Sequence, residues 1–170
     1  MPKGLKQTSS VVAIGFRSQE PAANTFTQQT VDLNLSALDR EVFVVLAINL
    51  DPQFPDAIDG QDTSVLSSLT TTSQTGTVSL NNPNCLASAN NSIKVSATNA
   101  VVAGFQTRNI ETPPANLEYI GIIATNDFFV QVEGTGNAVP RRVDGKIYGY
   151  RAEASADIYA ALVQSEVLSA

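Results

Sequence analysis

The stretch EVFVVLAINL, residues 41–50, is apolar on both sides of a strand. Strand side chains alternate between faces. Val42, Val44, Leu46, Ile48 and Leu50 therefore share one face, and Phe43, Val45 and Ala47 share the other. In a two-sheet sandwich each sheet turns one face to the core and one to water. LEYIGIIAT repeats the conflict, with Leu117, Tyr119 and Ile123 opposed to Ile120 and Ile122. Each aliphatic side chain left wet forgoes about 1.5–3 kcal/mol of burial, so two such strands make a costly patch on a monomer. Three coverings are open: the N-terminal segment, a C-terminal helix, or another copy of the chain.

The rest of the chain is β-patterned from Thr25 onward. TFTQQTVDLNLS sets Val31, Leu33 and Leu35 on one face, and a turn at Ala37-Leu38-Asp39-Arg40 leads into residues 41–50. TSVLSSLTTTS reads as a strand, TGTVSL as a short one, and NNPNCLASANN as a polar connection with one helical turn. SIKVSAT alternates, NAVVAGFQT is a further short strand, and NIETPPAN is a loop because Pro113 and Pro114 do not fit a central strand. LEYIGIIAT and FFVQVEG flank Asn126-Asp127, a dipeptide suited to a hairpin turn. VDGKIYGYRAE is the last strand. Strands at this spacing, with no alternating helices, predict an all-β antiparallel sandwich or barrel rather than a βαβ sheet.

Both ends differ from this body. Residues 1–24 carry Lys3, Lys6 and Arg17 and no acid before Glu20, and Pro21-Ala22-Ala23-Asn24 divides them from the rest. They read as an arm: a frayed terminus, or an extended segment reaching a neighbour or a polyanion. VVAIGF is too short for the apolar part of an export signal. At the other end, Ser155 is a good N-cap and Asp157 suits the first turn of a helix over 155–168. Ile158, Tyr159, Leu162, Val163 and Val167 recur at helical spacing. That stripe must dock, as a lid on the sandwich or against another subunit. The expected organisation is an arm over 1–24 and a sandwich domain over 25–170.

Composition removes several chemistries. The chain has no His and one Cys, so a His-based triad, His-ligated zinc, a thiolate cluster and an internal disulfide are excluded. A net charge of −6 argues against duplex DNA binding across the surface. No apolar run approaches the roughly 18 residues of a membrane span. GTGNAV is a turn, since no helix follows it, and no phosphate-binding loop is present. Glu111, Glu118 and Glu133 lie near strands without any sign of pairing, and no catalytic residue is expected. In DPQFPDAIDGQD, Asp51, Asp56, Asp59 and Asp62, with Gly60 among them, are hard oxygen ligands that could hold Ca²⁺, yet their spacing is not that of an EF-hand and an acidic surface loop is the plainer reading. Arg141-Arg142 could meet phosphate or a carboxylate, although such a pair is commonly solvated.

TFTQQTVDLNLSALDREVFVV, then NDFFVQVEG and KIYGYRAEASADIYAALVQSE, resemble the small single-jelly-roll major capsid proteins of tailless icosahedral viruses of marine prokaryotes. The likeness covers most of residues 25–168 in pattern. It implies an eight-stranded jelly roll of two four-stranded sheets, with no enzyme activity and no cofactor. Such a chain is a structural protein of the virion, assembled in the host cytoplasm from copies of itself as trimers, pentamers or hexamers, with or without other capsid proteins. Its arm is weakly basic, so sequence-specific nucleic-acid binding is weak or missing. On this reading the subunit-interface candidates are Val11, Val12 and Ile14 of the arm, Phe43 and Val45, and Tyr159, Leu162 and Val163. The alternative is a jelly-roll module that binds calcium or carbohydrate, or a decoration or fibre protein of a virion.

Overall fold

A computed structural model describes residues 2–96, 98, 101–108 and 116–169. Residues 109–115 of the NIETPPAN loop, Glu111 among them, fall outside the described residues. The strands are β1 (Leu5–Gln7), β2 (Val12–Gln19), β3 (Thr27–Asp32), β4 (Glu41–Pro52), β5 (Thr63–Thr70), β6 (Cys85–Val95), β7 (Val102–Arg108), β8 (Gly121–Ile123), β9 (Asp127–Thr135) and β10 (Arg142–Ala154). One helix follows, α1 (Ala156–Leu168).

Two antiparallel sheets result. The first runs β2-β10-β4-β8, with β1 beside the far end of β10; the second runs β3-β9-β5-β6-β7. Apart from β1 and β7, the chain supplies eight strands that cross between the sheets in jelly-roll order. The expected jelly-roll sandwich with a C-terminal helix is the observed architecture.

Residues 1–24 differ from the arm set apart in the sequence. Val12–Gln19 pairs with Arg142–Gly149 over its whole length and is a strand of the first sheet. The Thr8 N–H donates to the Arg151 carbonyl at 2.9 Å and joins β1 to β2 along the same edge. VVAIGF has strong β propensity, and β10 offers it a free row of hydrogen-bonding groups.

Between the sheets, Phe43, Val45, Ile48, Leu50, Val65, Leu69, Phe128, Val130, Val132, Val143 and Ile147 form the main core. Strict alternation would put Ile48 and Leu50 opposite Phe43 and Val45. A β-bulge brings them together: β10 pairs Tyr148 with Ala47 and Gly149 with Val45, so Leu46 is an extra residue. Beyond it Asn49 and Asp51 are exposed, and only Val42, Val44 and Leu46 remain on a second apolar face. Two glycines of β10 let aromatic rings lie on its backbone. A Cβ at Gly145 would stand 2.6 Å from the Phe16 ring, and one at Gly149 would stand 2.6 Å from the Phe43 ring. Phe16 in turn meets Phe128 edge to face, with centroids 5.7 Å apart.

The second apolar face is covered from within the chain. Ile158, Tyr159, Leu162 and Val163 of α1 pack on Val42, Val44, Ala124, Tyr150, Ala152 and Ala154. Helices this short are marginal in isolation, so this docking holds α1 in place. Glu166 adds a polar anchor. It is buried, and its carboxylate accepts the Ala124 N–H at 2.9 Å and the Thr125 N–H at 3.0 Å. Asn126-Asp127 is therefore not a hairpin turn. It carries the chain from β8 in the first sheet to β9 in the second, and α1 seals the crossing.

A polar segment covers the outer face of the second sheet. Gln131 donates to Thr70 Oγ1 at 2.7 Å and Gln28 Oε1 at 3.0 Å, and accepts from Ser68 Oγ at 2.8 Å. Residues 71–84 lie over them: Gln28 donates to Ser73 Oγ at 2.8 Å, the Gln74 N–H to Gln28 Oε1 at 2.8 Å, and the Val78 N–H to Ser68 Oγ at 3.2 Å. TGTVSL is thus no strand; its backbone is held by side chains. Of the polar run expected as a connection, residues 81–84 are a turn, but Cys85–Asn91 is the start of β6, where Ala87, Ala89 and Asn91 point inward. Asn91 is admitted to the interior because its amide donates to the Pro52 carbonyl at 2.8 Å.

Two outcomes follow from this packing. Gly149→Ala forces the Phe43 ring and the Val44 carbonyl apart, and denaturant unfolding should show a loss of about 1–3 kcal/mol; an unchanged midpoint would contradict the ring-on-backbone contact. Burial raises the Glu166 carboxyl above its ordinary value of 4.5, with the backbone N–H bonds opposing the shift and Asp127 adding to it. The contribution of Glu166 is then full below its unfolded pKa and declines as pH rises through the folded one. The stability of wild type relative to Glu166→Gln should accordingly fall as pH rises above the ordinary carboxyl value of 4.5. A rise with pH there would reverse the assignment.

Candidate assembly surfaces

Among the apolar side chains that stay exposed, Leu38, Phe54 and Val139 are carried on turns held by polar groups, while Val12, Val102, Phe105, Val167 and Leu168 stand on strands and on α1. At one end of the sandwich, Glu20 is 2% exposed and accepts three backbone N–H groups: Gly134 at 2.7 Å, Arg141 at 2.8 Å and Thr25 at 3.0 Å. One carboxylate thereby ties the β2–β3 connection to the β9–β10 turn. Asn24 and Asn137 exchange side-chain-to-backbone bonds of 2.8 Å, and the Asp56 N–H donates to Asn137 Oδ1 at 2.9 Å. Asn24 sits at φ 60°, a conformation Asn tolerates better than most residues.

The acidic loop between β4 and β5 belongs to this construction. Asp56 pairs with the Arg141 guanidinium and accepts the Ala138 N–H at 2.9 Å. Arg141 also donates to the Phe54 carbonyl at 3.2 Å. Asp62 turns the other way, accepting the Val95 N–H at 2.8 Å and Lys94 Nζ at 3.1 Å. Those two partners, the Val95 N–H above all, hold its carboxyl below the usual range. Asp56 and Asp62 are thus committed to different neighbours, and the described residues contain no grouping of three metal-ligating side chains. Arg141 is committed as well, and Arg142 donates to Asp144 at 3.2 Å. What this end presents outward is Phe54 and Val139, both at least half exposed.

The opposite end of β4 carries the turn at Ser36–Arg40. Ser36 donates to Asp39 at 2.7 Å, and Arg40 adopts φ 53°. At its tip Leu38 is 97% exposed. Beside it lies a recess of about 190 Å³ lined by Leu35, Ala37, Ala124, Thr125, Asn126, Tyr159 and Val163. Val167 and Leu168 are exposed on α1 nearby in sequence.

The residues singled out in the sequence as interface candidates fall in three groups. Val11 and Val12 are exposed on the β2 edge, whereas Ile14 packs toward the core. Phe43 and Val45 are fully enclosed between the sheets and have no surface to offer a neighbour, because the bulge and the pairing with β8 turn them inward. Leu162 packs on the first sheet, while Tyr159 and Val163 do so and also line the recess. Leu38, Phe54 and Val139 escaped notice in the sequence. Their signal was an apolar side chain inside a turn-forming run: SALDR, DPQFPD and GNAVPRR.

Of the carboxylates near strands, Glu133 accepts from Thr77 at 3.3 Å. Cys85 is buried, which pushes its thiol up to about 11 and leaves it protonated at neutral pH. No described helix is long and apolar enough to cross a membrane.

No family model matches the chain, and no curated protein matches it. Among solved structures it is similar to VP1 of Merkel cell polyomavirus, from an unassembled pentamer, at 5% identity, over 89% of this chain and 99% of that one, with a TM-score of 0.41. It is also similar to a chain of Desmodium yellow mottle tymovirus at 12% identity, over 91% of this chain and 93% of that one, with a TM-score of 0.27.

Proposed function

We propose that this chain is a structural subunit of a viral shell, a capsid protein that works by associating with copies of itself. One observation carries the reading: exposed apolar side chains stand on stiffened turns at both ends of the jelly roll. Phe54 and Val139 lie at one end of β4, and Leu38 at the other. A closed assembly of identical subunits requires each copy to touch neighbours on more than one side. A ligand-binding module gathers its apolar surface in one cleft; here it is dispersed.

The polar networks support the same role. Glu20, Asn137 and Asp56 fix the turns before any partner arrives, so little entropy is lost when a contact forms. Each contact is small, and many repeated around a shell give stability that no single one has. The viral assignment rests on the resemblance of TFTQQTVDLNLSALDREVFVV and of the β9, β10 and α1 sequences to capsid proteins. On this reading the protein resides in the virion and acts without catalysis.

Purified chain should form rings or closed particles visible by negative-stain microscopy, at concentrations set by salt and pH. Phe54→Ser combined with Val139→Ser should abolish them while leaving the far-ultraviolet circular dichroism unchanged. A protein that sediments as a monomer at high concentration under every salt and pH tried would remove the reading.

A further inference from the structure

We propose that Leu38 is a knob that enters the recess beside α1 of a second copy of this chain. The partner's identity deepens the shell-subunit reading and rests on it. The knob is nearly naked: Leu38 is 97% exposed at the tip of a turn that Ser36 and Asp39 brace. A leucine held in water by a rigid turn forgoes its burial energy unless something receives it.

The socket is apolar and of the right size. Its walls are Leu35, Ala37, Ala124, Tyr159 and Val163, and its volume is about 190 Å³. A cavity of about 150 Å³ with apolar walls accepts a benzene ring, and the leucine side chain is smaller than that. Ala37 lines the socket and precedes the knob in the chain, so both features belong to one surface of one molecule. A knob and a socket borne by the same subunit are what contacts between identical copies require.

Charge selects the same occupant. The exposed side of α1 continues this surface through Ala160, Ala161, Gln164, Val167 and Leu168, with no charged side chain after Asp157. Glu166 is buried and turned to Ala124 and Thr125. A chain of net charge −6 repels its copies where charges meet, so like surfaces approach best on uncharged ground. The turn itself carries one charge of each sign, Asp39 and Arg40, so it favours neither a basic protein nor a nucleic acid. A helix of thirteen residues is roughly 20 Å long and 10 Å wide. With the turn it offers a few hundred Å² per copy, below the ~1,200 Å² total that marks a stable pair. The contact is therefore weak alone and suited to repetition.

Two single-cysteine variants of the full chain, Leu38→Cys and Val163→Cys, each in a Cys85→Ala background, test this when mixed under mild oxidation. One carries an affinity tag, so a mixed dimer is distinguishable by size. Expected is a mixed disulfide at least tenfold above the dimer formed by either variant alone. Leu38→Asp should lower self-association in sedimentation velocity at least tenfold, and Leu38→Met should restore it. No mixed disulfide at millimolar protein, or dimers of Leu38→Cys alone in equal yield, overturns the proposal. Particles that form with wild type and Leu38→Asp alike remove this contact and leave the shell reading standing. A mixed disulfide without particles under any condition keeps the contact and removes the shell.

Discussion

Two faces of one sheet must be kept from water, and the rest of this structure is arranged around that demand. β4 and β10 bury Phe43, Val45 and Ile147 between the sheets, and over half their length they bury Val42, Val44, Tyr150 and Ala152 on the outside as well. A second sheet can cover only the first of these faces. Helix α1 covers the other, and its length of thirteen residues matches the stretch of sheet that needs it. Where α1 ends its cover, the bulge at Leu46 has already changed the phase of β4, and Asn49 and Asp51 face solvent instead. The bulge thus limits the apolar surface to what one short helix can shelter.

The second sheet meets the same problem with different chemistry. Its outer face carries Gln28, Ser68, Thr70 and Gln131, and residues 71–84 seal it with hydrogen bonds rather than side-chain packing. Such groups are costly to bury unless each finds a partner, and here they do. The result is a domain in which the apolar part of one outer face and the polar strip of the other are both covered. Exposed apolar surface is left at the turns, on β2 and β7 and on α1, and at one end Glu20, Asn137 and Asp56 brace the turns from beneath.

Legibility in the sequence followed the range of the interaction involved. The β3–β4 turn, the body of β5 and the boundaries of α1 are settled by nearest neighbours and were readable. Asn126-Asp127 misled because the dipeptide suits a hairpin, while its true geometry depends on Glu166, some forty residues away in the chain. TGTVSL has the pattern of a strand, but Ser68 claims the Val78 N–H, and Gln28 the N–H of Gln74 just before it, from distant strands. Cys85–Asn91 looked too polar for a central strand because its small side chains make sense only opposite the bulky residues of β4. Phe43 and Val45 face the core and not a neighbour, which alternation alone does not reveal because it carries no trace of the register shift imposed by β10. Leu38 and Phe54 drew no attention, because an apolar residue in a turn is informative only once the turn is seen to be rigid and exposed.

By itself the sequence determined the class of the fold, the presence and place of the helix, and the removal of histidine- and thiolate-based chemistry. These follow from composition and from periodicities that act within a few residues. The tertiary structure alone decided that residues 5–19 are sheet strands, that α1 rather than another copy roofs Val42 and Val44, and which apolar groups remain uncovered. The reason is that coverage is a property of pairs of distant segments: a side chain's exposure depends on what the rest of the chain lays over it, and local pattern carries no record of that.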